Sequence, residues 1–250
     1  YGRWRARRKT ILVSEIVVYD ARSGEELDLN LVRIGRLREL GQMDKHQVYR
    51  EAPSAQAWGR KVKAKWVDEA RTKDGVTEVQ SRLVAMELNV FARDDVNAST
   101  PPLAVIRAIV SLAASKPGVR FLAVYDISVA FFHAVIDEDI TVVPPRGTSR
   151  QGYVWILLKA MYGTRRAAQL WQEHLATVFR NGNWVRLQNI AGAFYGPSLD
   201  VTVAIHGDDF LAEGTAESLE VLGHLLLASM DVKVMPRIGP GAASSGRYLK

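Results

Sequence analysis

Residues 201–214 read VTVAIHGDDFLAEG, and this stretch limits the fold more than any other. Val201, Val203 and Ile205 alternate as in a strand, Phe210 and Leu211 resume the apolar pattern, and His206-Gly207-Asp208-Asp209 lies between. The pattern predicts an antiparallel hairpin, because glycine and aspartate supply the backbone conformations of a tight reversal. Two readings of the paired aspartates follow. They are turn residues, or they hold metal ions.

A second apolar strand, FLAVY at 121–125, runs straight into Asp126. If the two strands share a sheet, Asp126, Asp208 and Asp209 converge. Clustered carboxylates in a low-dielectric setting repel each other unless a cation or a proton compensates. A pair of divalent ions about 3.5–4 Å apart, serving an in-line phosphoryl displacement, is one use of such a cluster. The local alternative for Asp126 is to cap a helix starting at Ser128. Neighbouring strand residues face opposite ways, so Asp208 and Asp209 share an ion only if the turn twists them. The acidic run Asp137-Glu138-Asp139 reads as a solvated loop.

Composition narrows the metal. The 250 residues contain no cysteine, and the five histidines show no paired ligand spacing, which argues against a zinc site. A hard cation on carboxylates remains, Mg²⁺ or Mn²⁺. Lys and Arg number 33 against 27 Asp and Glu, a net +6 that suits a polyanionic partner. Part of the excess sits in Arg3, Arg5, Arg7, Arg8 and Lys9, a basic arm without the apolar core of a secretory signal. The most apolar helix candidate, LAVIRAIVSLAAS, is too short to cross a bilayer and carries Arg107, so no membrane partner is expected.

Elsewhere ILVSEIVVYD reads as a strand and LVRIGRLRELGQMDKHQVYRE as a charged helix. KVKAKWVDEA and TEVQSRLVAMELNVF flank the turn Thr72-Lys73-Asp74-Gly75. Thr100-Pro101-Pro102 opens a helix that Pro117-Gly118 ends, with Val105, Ile106, Ile109, Val110 and Leu112 on its apolar side. SVAFFHAVI can begin a helix, Thr141 to Gly147 leaves regular structure, and YVWILL is a strand. AAQLWQEHLATVFRNGNW and Glu217 to Met230 are helices, while AFYG and VKVM are strands. Helices and strands intermingle without a βαβ rhythm, which predicts an α+β fold.

The order of these pieces resembles copia-type LTR-retrotransposon reverse transcriptases. KWVDEARTKDGVTEVQSRLVA is similar to the family's fingers segment, VIRAIVSLAA to its following helix, and YDISVAFFHA to its D-V-x-x-A-F-L-x-G block. LLKAMYGTRRAAQLW resembles L-x-K-A-L-Y-G-L-K-Q-A-P-R-A-W, and IHGDDFLAEG resembles the Y-V-D-D-L-L-I-x-G hairpin. RLRELGQMDKHQVYR is a fainter echo of the family's leading helix. The blocks span roughly Ile34 to Lys250 in the family's order.

The resemblance implies a right-hand polymerase with interleaved fingers and palm, the palm an antiparallel sheet packed on helices. Its reverse transcriptase domain would cover 34–250, with a palm core near 119–145 and 184–235 and most of the thumb missing. Residues 1–33 read as a basic extension or linker. Asp126, Asp208 and Asp209 stand at the catalytic positions and would hold two Mg²⁺ ions, with Mn²⁺ as the substitute. Phe131 stands where the family closes on the sugar 2′ position, while Arg82 and Lys65 are candidates for the triphosphate. Trp171 and Leu175 read as packing residues.

Implied partners are an RNA or DNA template with its primer, deoxynucleoside triphosphates, and the RNase H and integrase segments of one polyprotein. The implied setting is intracellular, a cytoplasmic virus-like particle with a nuclear phase. The sequence also departs from the pattern. His206 and Gly207 replace a tyrosine and a valine, Arg166 replaces a glutamine of the nucleotide pocket, and Met86-Glu87-Leu88 replaces a basic residue, Gly and Phe. A non-catalytic remnant that keeps only nucleic-acid binding is therefore the alternative expectation.

Overall fold

The computed structural model describes residues 17–87, 101–188, 190, 192–246 and 248. The strand expected at ILVSEIVVYD, the capping Thr100 and the basic arm fall wholly or mostly outside them. The described residues form a mixed α and β fold with four α-helices and two sheets. They divide into two compact units, one within 1–92 and 135–167, the other within 93–134 and 168–250. No helix among them is long and apolar enough to cross a membrane.

The first unit begins with α1 (Leu29–Lys45), capped by Asp28, whose carboxylate accepts the amides of Asn30 and Leu31. The helix pattern in the sequence is weak because α1 buries charge. Arg36 pairs with Asp68 at 2.8 Å with both side chains inside, and Glu39 accepts the Leu83 amide. The helical reading of QVYRE fails. Gln47 takes a left-handed φ of 52° that closes α1, and the chain re-enters as β1 (Tyr49–Pro53).

β2 (Arg60–Lys73) and β3 (Val76–Ala85) form the expected hairpin across Asp74-Gly75. β4 (Phe121–Ile127) belongs to the second unit, whereas β5 (Ile140–Val143) and β6 (Tyr153–Leu157) return to the first. Their sheet runs β1-β6-β5-β2-β3, with only the β2–β5 pair parallel. Thr141 to Val143 thus lie inside a strand, held by pairing on both sides, and irregular structure starts at Pro144. Val18 and Leu27 pack with Val32 and Val79, so the chain from Val18 onward is part of this unit's core.

The second unit contains α2 (Leu103–Ser115), β4, α3 (Ala167–Asn181), β7 (Val185–Arg186), β8 (Ala193–Gly196) and β9 (Val201–His206). It continues through β10 (Asp209–Gly214), α4 (Ala216–Ser229) and β11 (Val232–Val234). The sheet is antiparallel throughout, in the order β11-β4-β10-β9-β8-β7. Alternation splits it into two faces. Tyr125, Ile127, Val203, Ile205 and Phe210 pack with Trp171, Leu175 and Phe179 of α3 and with Leu219, Leu222 and Leu226 of α4. Val124, Ala204 and Leu211 pack with Ile109 of α2. Both faces are covered, which is why these strands read as continuous apolar runs. On α2 only Ile109 is fully buried, while Val110 is exposed.

After β4 the expected helix is reduced to a 3-10 turn, Ala130–His133. Val129 sits at φ 49° and ψ 44°, a left-handed conformation that a β-branched residue adopts only at a cost and that cannot start an α-helix. At the foot of the sheet Glu213 is wholly buried, and Arg120 donates to it at 2.8 Å. Lys116 bridges Glu213 and Asp200 at 3.1 and 2.6 Å, and Arg120 also reaches Asp200 at 2.8 Å. The hydrogen bond from Lys116 holds the Asp200 carboxyl below the usual carboxylate range.

Candidate active site

The β9–β10 hairpin turns on Gly207 and Asp208, with His206 paired to Asp209. Gly207 has φ 65° with open space where a Cβ would stand, so backbone conformation alone calls for glycine. Both central carbonyls of the turn are engaged. Trp171 Nε1–H donates to the Gly207 carbonyl at 2.8 Å, and the Ile127 amide donates to the Asp208 carbonyl at 2.9 Å. Trp171 therefore does more than pack, a role the sequence reading missed because nothing in its helical spacing marks a bond to the hairpin.

Asp126 is not a helix cap. It lies within β4, one residue before the strand ends. The register sets it opposite Asp209 on one side and Lys233 on the other, and sets Asp209 opposite His206. One row thus crosses four strands as Lys233, Asp126, Asp209 and His206, on the face that also carries Val124, Ala204 and Leu211. Residues directly opposite in an antiparallel pair have Cβ atoms about 4.5–5.5 Å apart, close enough for two carboxylates to repel or to share a cation.

Asp126 is 7% exposed, Asp209 is half-buried and Asp208 is exposed. The Lys233 ammonium stands 3.9 Å from the Asp126 carboxylate, a positive charge beside the pair. Burial and the negative charge of Asp209 together push the Tyr248 hydroxyl above its ordinary range. Two hard oxygen donors side by side are the donor chemistry that a divalent ion such as Mg²⁺ takes, and the Lys233 ammonium compensates part of their charge in its place. Among the described residues no three His, Cys, Asp or Glu side chains gather into a metal-holding group. The register brings Asp126 and Asp209 together, while Asp208 follows in the turn, exposed, and does not join them in a group of three.

Of the two phenylalanines after β4, Phe132 is wholly buried and Phe131 is half-buried. Phe131 lines a pocket of about 200 Å³ with Trp171, Leu175, Phe194, Ile205 and Gly207. The pocket therefore abuts the hairpin turn on the face away from the carboxylate row.

The remaining candidates belong to the first unit. Arg82, half-buried on β3, has its guanidinium 5.8 Å from the centre of the Tyr162 ring. Lys65 is exposed on β2. Arg166 is tied to Asp137 at 2.6 Å, so part of the acidic run read as a solvated loop is an ionic partner. Glu87, one of the departures from the family pattern, is half-buried, with its side chain turned inward. It accepts the Arg165 amide at 2.8 Å and lies 2.8 Å from Arg60, which also pairs with Glu138.

A family model described as reverse transcriptase (RNA-dependent DNA polymerase) matches residues 50–238. Over 91 residues the chain is 31% identical to a transposon Ty5-1 protein of Saccharomyces cerevisiae, covering 34% of this chain and 30% of that protein. Among solved structures it is similar to apo telomerase from Candida tropicalis truncated from its C-terminal domain. That likeness has a TM-score of 0.48 at 9% identity and covers 93% of this chain and 61% of that one. The chain thus spans under a third of the yeast protein and about three fifths of the telomerase chain.

Proposed function

The chain belongs to the copia-type reverse transcriptase family of retrotransposons, and from that premise we propose that it is an RNA-directed DNA polymerase acting at the Asp126–Asp209 pair. In this reading the second unit is the palm and the first the fingers. The family implies a nucleic-acid template and nucleotide substrates. The single observation that carries the site is the cross-strand register of Asp126 with Asp209 beside the Gly207-Asp208 turn.

Asp126 and Asp209 would hold Mg²⁺, with Asp208 as the third carboxylate. When bound, such ions favour the attacking oxygen and neutralise charge on the leaving one. The bond formed joins the primer 3′-oxygen to the α-phosphorus. The bond broken is that between the α-phosphorus and the oxygen bridging to the β-phosphate. The 3′-hydroxyl proton passes to solvent and pyrophosphate leaves with the electron pair.

The protein's own contribution is placement. Trp171 and the Ile127 amide fix the two carbonyls of the turn, which holds Asp208 and Asp209 against β4. Phe131 is the family's candidate for closing on the sugar 2′ position, and it must turn out of the pocket behind the hairpin to do so; Arg82 is the family's candidate for the triphosphate. Arg166 is already engaged by Asp137 and must exchange that partner to reach a phosphate. RNase H and integrase segments of a common polyprotein complete the proposed setting.

Primer extension by the purified chain, on RNA and DNA templates with Mg²⁺ and all four deoxynucleotides, tests this reading. Extension is expected, and Asp208→Asn should lower it more than about a hundredfold, beyond the usual cost of losing an outer-shell metal partner. Template binding without extension by the unsubstituted chain would leave a nucleic-acid-binding remnant in place of a polymerase.

A further inference from the structure

Tyr248 lies on the sheet face that carries the carboxylate row. Two residues along the strands from Asp126, Asp209 and His206 comes the next row of that face, Val124, Leu211 and Ala204, in the same register. The two rows are about 6.5 Å apart. Tyr248 packs on the apolar cluster that Val124, Ala204 and Leu211 form with Ile109. A tyrosine seated there has the length to bring its oxygen to the carboxylates. That oxygen is buried and has no hydrogen-bond partner among the described residues. It is close enough to Asp209 for the negative charge of that carboxylate to act on it. The hydroxyls of Tyr49, Tyr125 and Tyr195, by contrast, each donate to an oxygen, that of Asp44, the Leu219 carbonyl and that of Asp200. A buried hydroxyl without an acceptor is costly, so its place beside an anion calls for a use.

We propose that Tyr248 is a positioning residue of the Asp126–Asp209 site, its hydroxyl donating to the Asp209 carboxylate and holding it turned toward Asp126. The inference rests on the reading of that pair as the place of a divalent cation. An ionised carboxylate offers about four lone-pair sites on two oxygens. One oxygen serves the cation, and a donor on the other stops the group from rotating away, as outer-shell partners of metal ligands do. Asp209 is the first residue of β10, directly after the turn and half-buried, so the strand fixes its backbone and leaves its carboxylate to be oriented. A neutral donor suits this place. Lys233 already puts one positive charge beside Asp126, and a second one at Asp209 would compete with the metal ion. A hydroxyl orients without competing. The chain after β11 brings Tyr248 here by running back along β4, where the Met235 amide donates to the Val124 carbonyl and Ile238 pairs with Leu122.

The test is Mn²⁺ affinity by electron paramagnetic resonance, together with the tyrosine ultraviolet difference spectrum on adding Mg²⁺, for the full chain, Tyr248→Phe and Tyr49→Phe. Tyr248→Phe keeps the ring on its apolar cluster and removes only the donor, so a role in packing alone predicts no change. Loss of an outer-shell partner costs about 10–100-fold in metal affinity, so Tyr248→Phe should weaken Mn²⁺ binding at least about tenfold. Mg²⁺ should perturb a tyrosine band in the unsubstituted chain that Tyr248→Phe lacks. Tyr49→Phe removes a hydroxyl that serves Asp44 in the first unit, and should keep both the affinity and the band. If the unsubstituted chain binds Mn²⁺ and Tyr248→Phe matches it in affinity and in the band, the role of Tyr248 is overturned and the aspartate pair stands. If the unsubstituted chain binds no Mn²⁺, the pair fails and Tyr248 fails with it.

Discussion

Glu39 is an acid buried in α1, 7% exposed, and burial pushes its carboxyl up to about 7 against the Leu83 amide and the charge of Arg82, which both pull it down. The folded value lies above the unfolded value near 4.5. A group shifted in that direction contributes stability that is complete below the unfolded value and is lost as pH rises through the folded one. The difference corresponds to about 3 kcal/mol, lost between roughly pH 4.5 and pH 7. Glu39→Gln keeps a carbonyl for the Leu83 amide and cannot ionise. Urea unfolding at a series of pH values should therefore show the two proteins nearly equal at pH 4, with Glu39→Gln more stable by about 3 kcal/mol at pH 8. Arg82→Ala should raise the Glu39 value further and carry the loss to higher pH. Parallel stability profiles for the unsubstituted chain and Glu39→Gln would refute the reasoning.

Three further outcomes concern the second unit. Arg120→Met leaves the Glu213 carboxylate wholly buried with only Lys116 beside it, and should cost about 3–5 kcal/mol in denaturant unfolding followed by tryptophan fluorescence. The double variant Arg120→Met with Glu213→Leu should recover much of that loss, since it removes the stranded charge as well. Val129→Gly should raise stability by about 1 kcal/mol, because it relieves a left-handed conformation that costs an L residue about 1–2 kcal/mol. A lower melting temperature for that variant would mean that the turn after β4 stores no strain.

Much of the second unit is written locally. The β9–β10 hairpin follows from alternating apolar residues around a glycine whose positive φ the turn requires, and α3 follows from Leu170, Trp171, Leu175 and Phe179 on one face. What local pattern cannot supply is pairing. Nothing near Asp126 announces that it faces Asp209 across 83 positions of chain, or that Lys233 flanks it from the other side.

The same limit explains β1 and β5. Each is a strand of four or five residues specified by its neighbours in the sheet, with little periodicity of its own. The helix expected after Asp126 fails at Val129, which takes a conformation that residue disfavours just after the Ser128 amide bonds the Asp231 carbonyl. Glu213 looks like an ordinary strand-end acid until Arg120, Lys116 and Asp200 close around it. The departures Glu87 and Arg166 likewise acquire meaning only through their partners, Arg60 and Asp137.

The central claim is that Asp126 and Asp209, neighbours across β4 and β10, share a divalent cation. Mn²⁺ binding, followed by electron paramagnetic resonance on the full chain and on Asp126→Asn and Asp209→Asn, tests it without reference to turnover. The account predicts binding by the unsubstituted chain and a loss of at least about tenfold in affinity for each variant, with the circular dichroism spectrum unchanged. Mn²⁺ affinity that survives either substitution intact would contradict it.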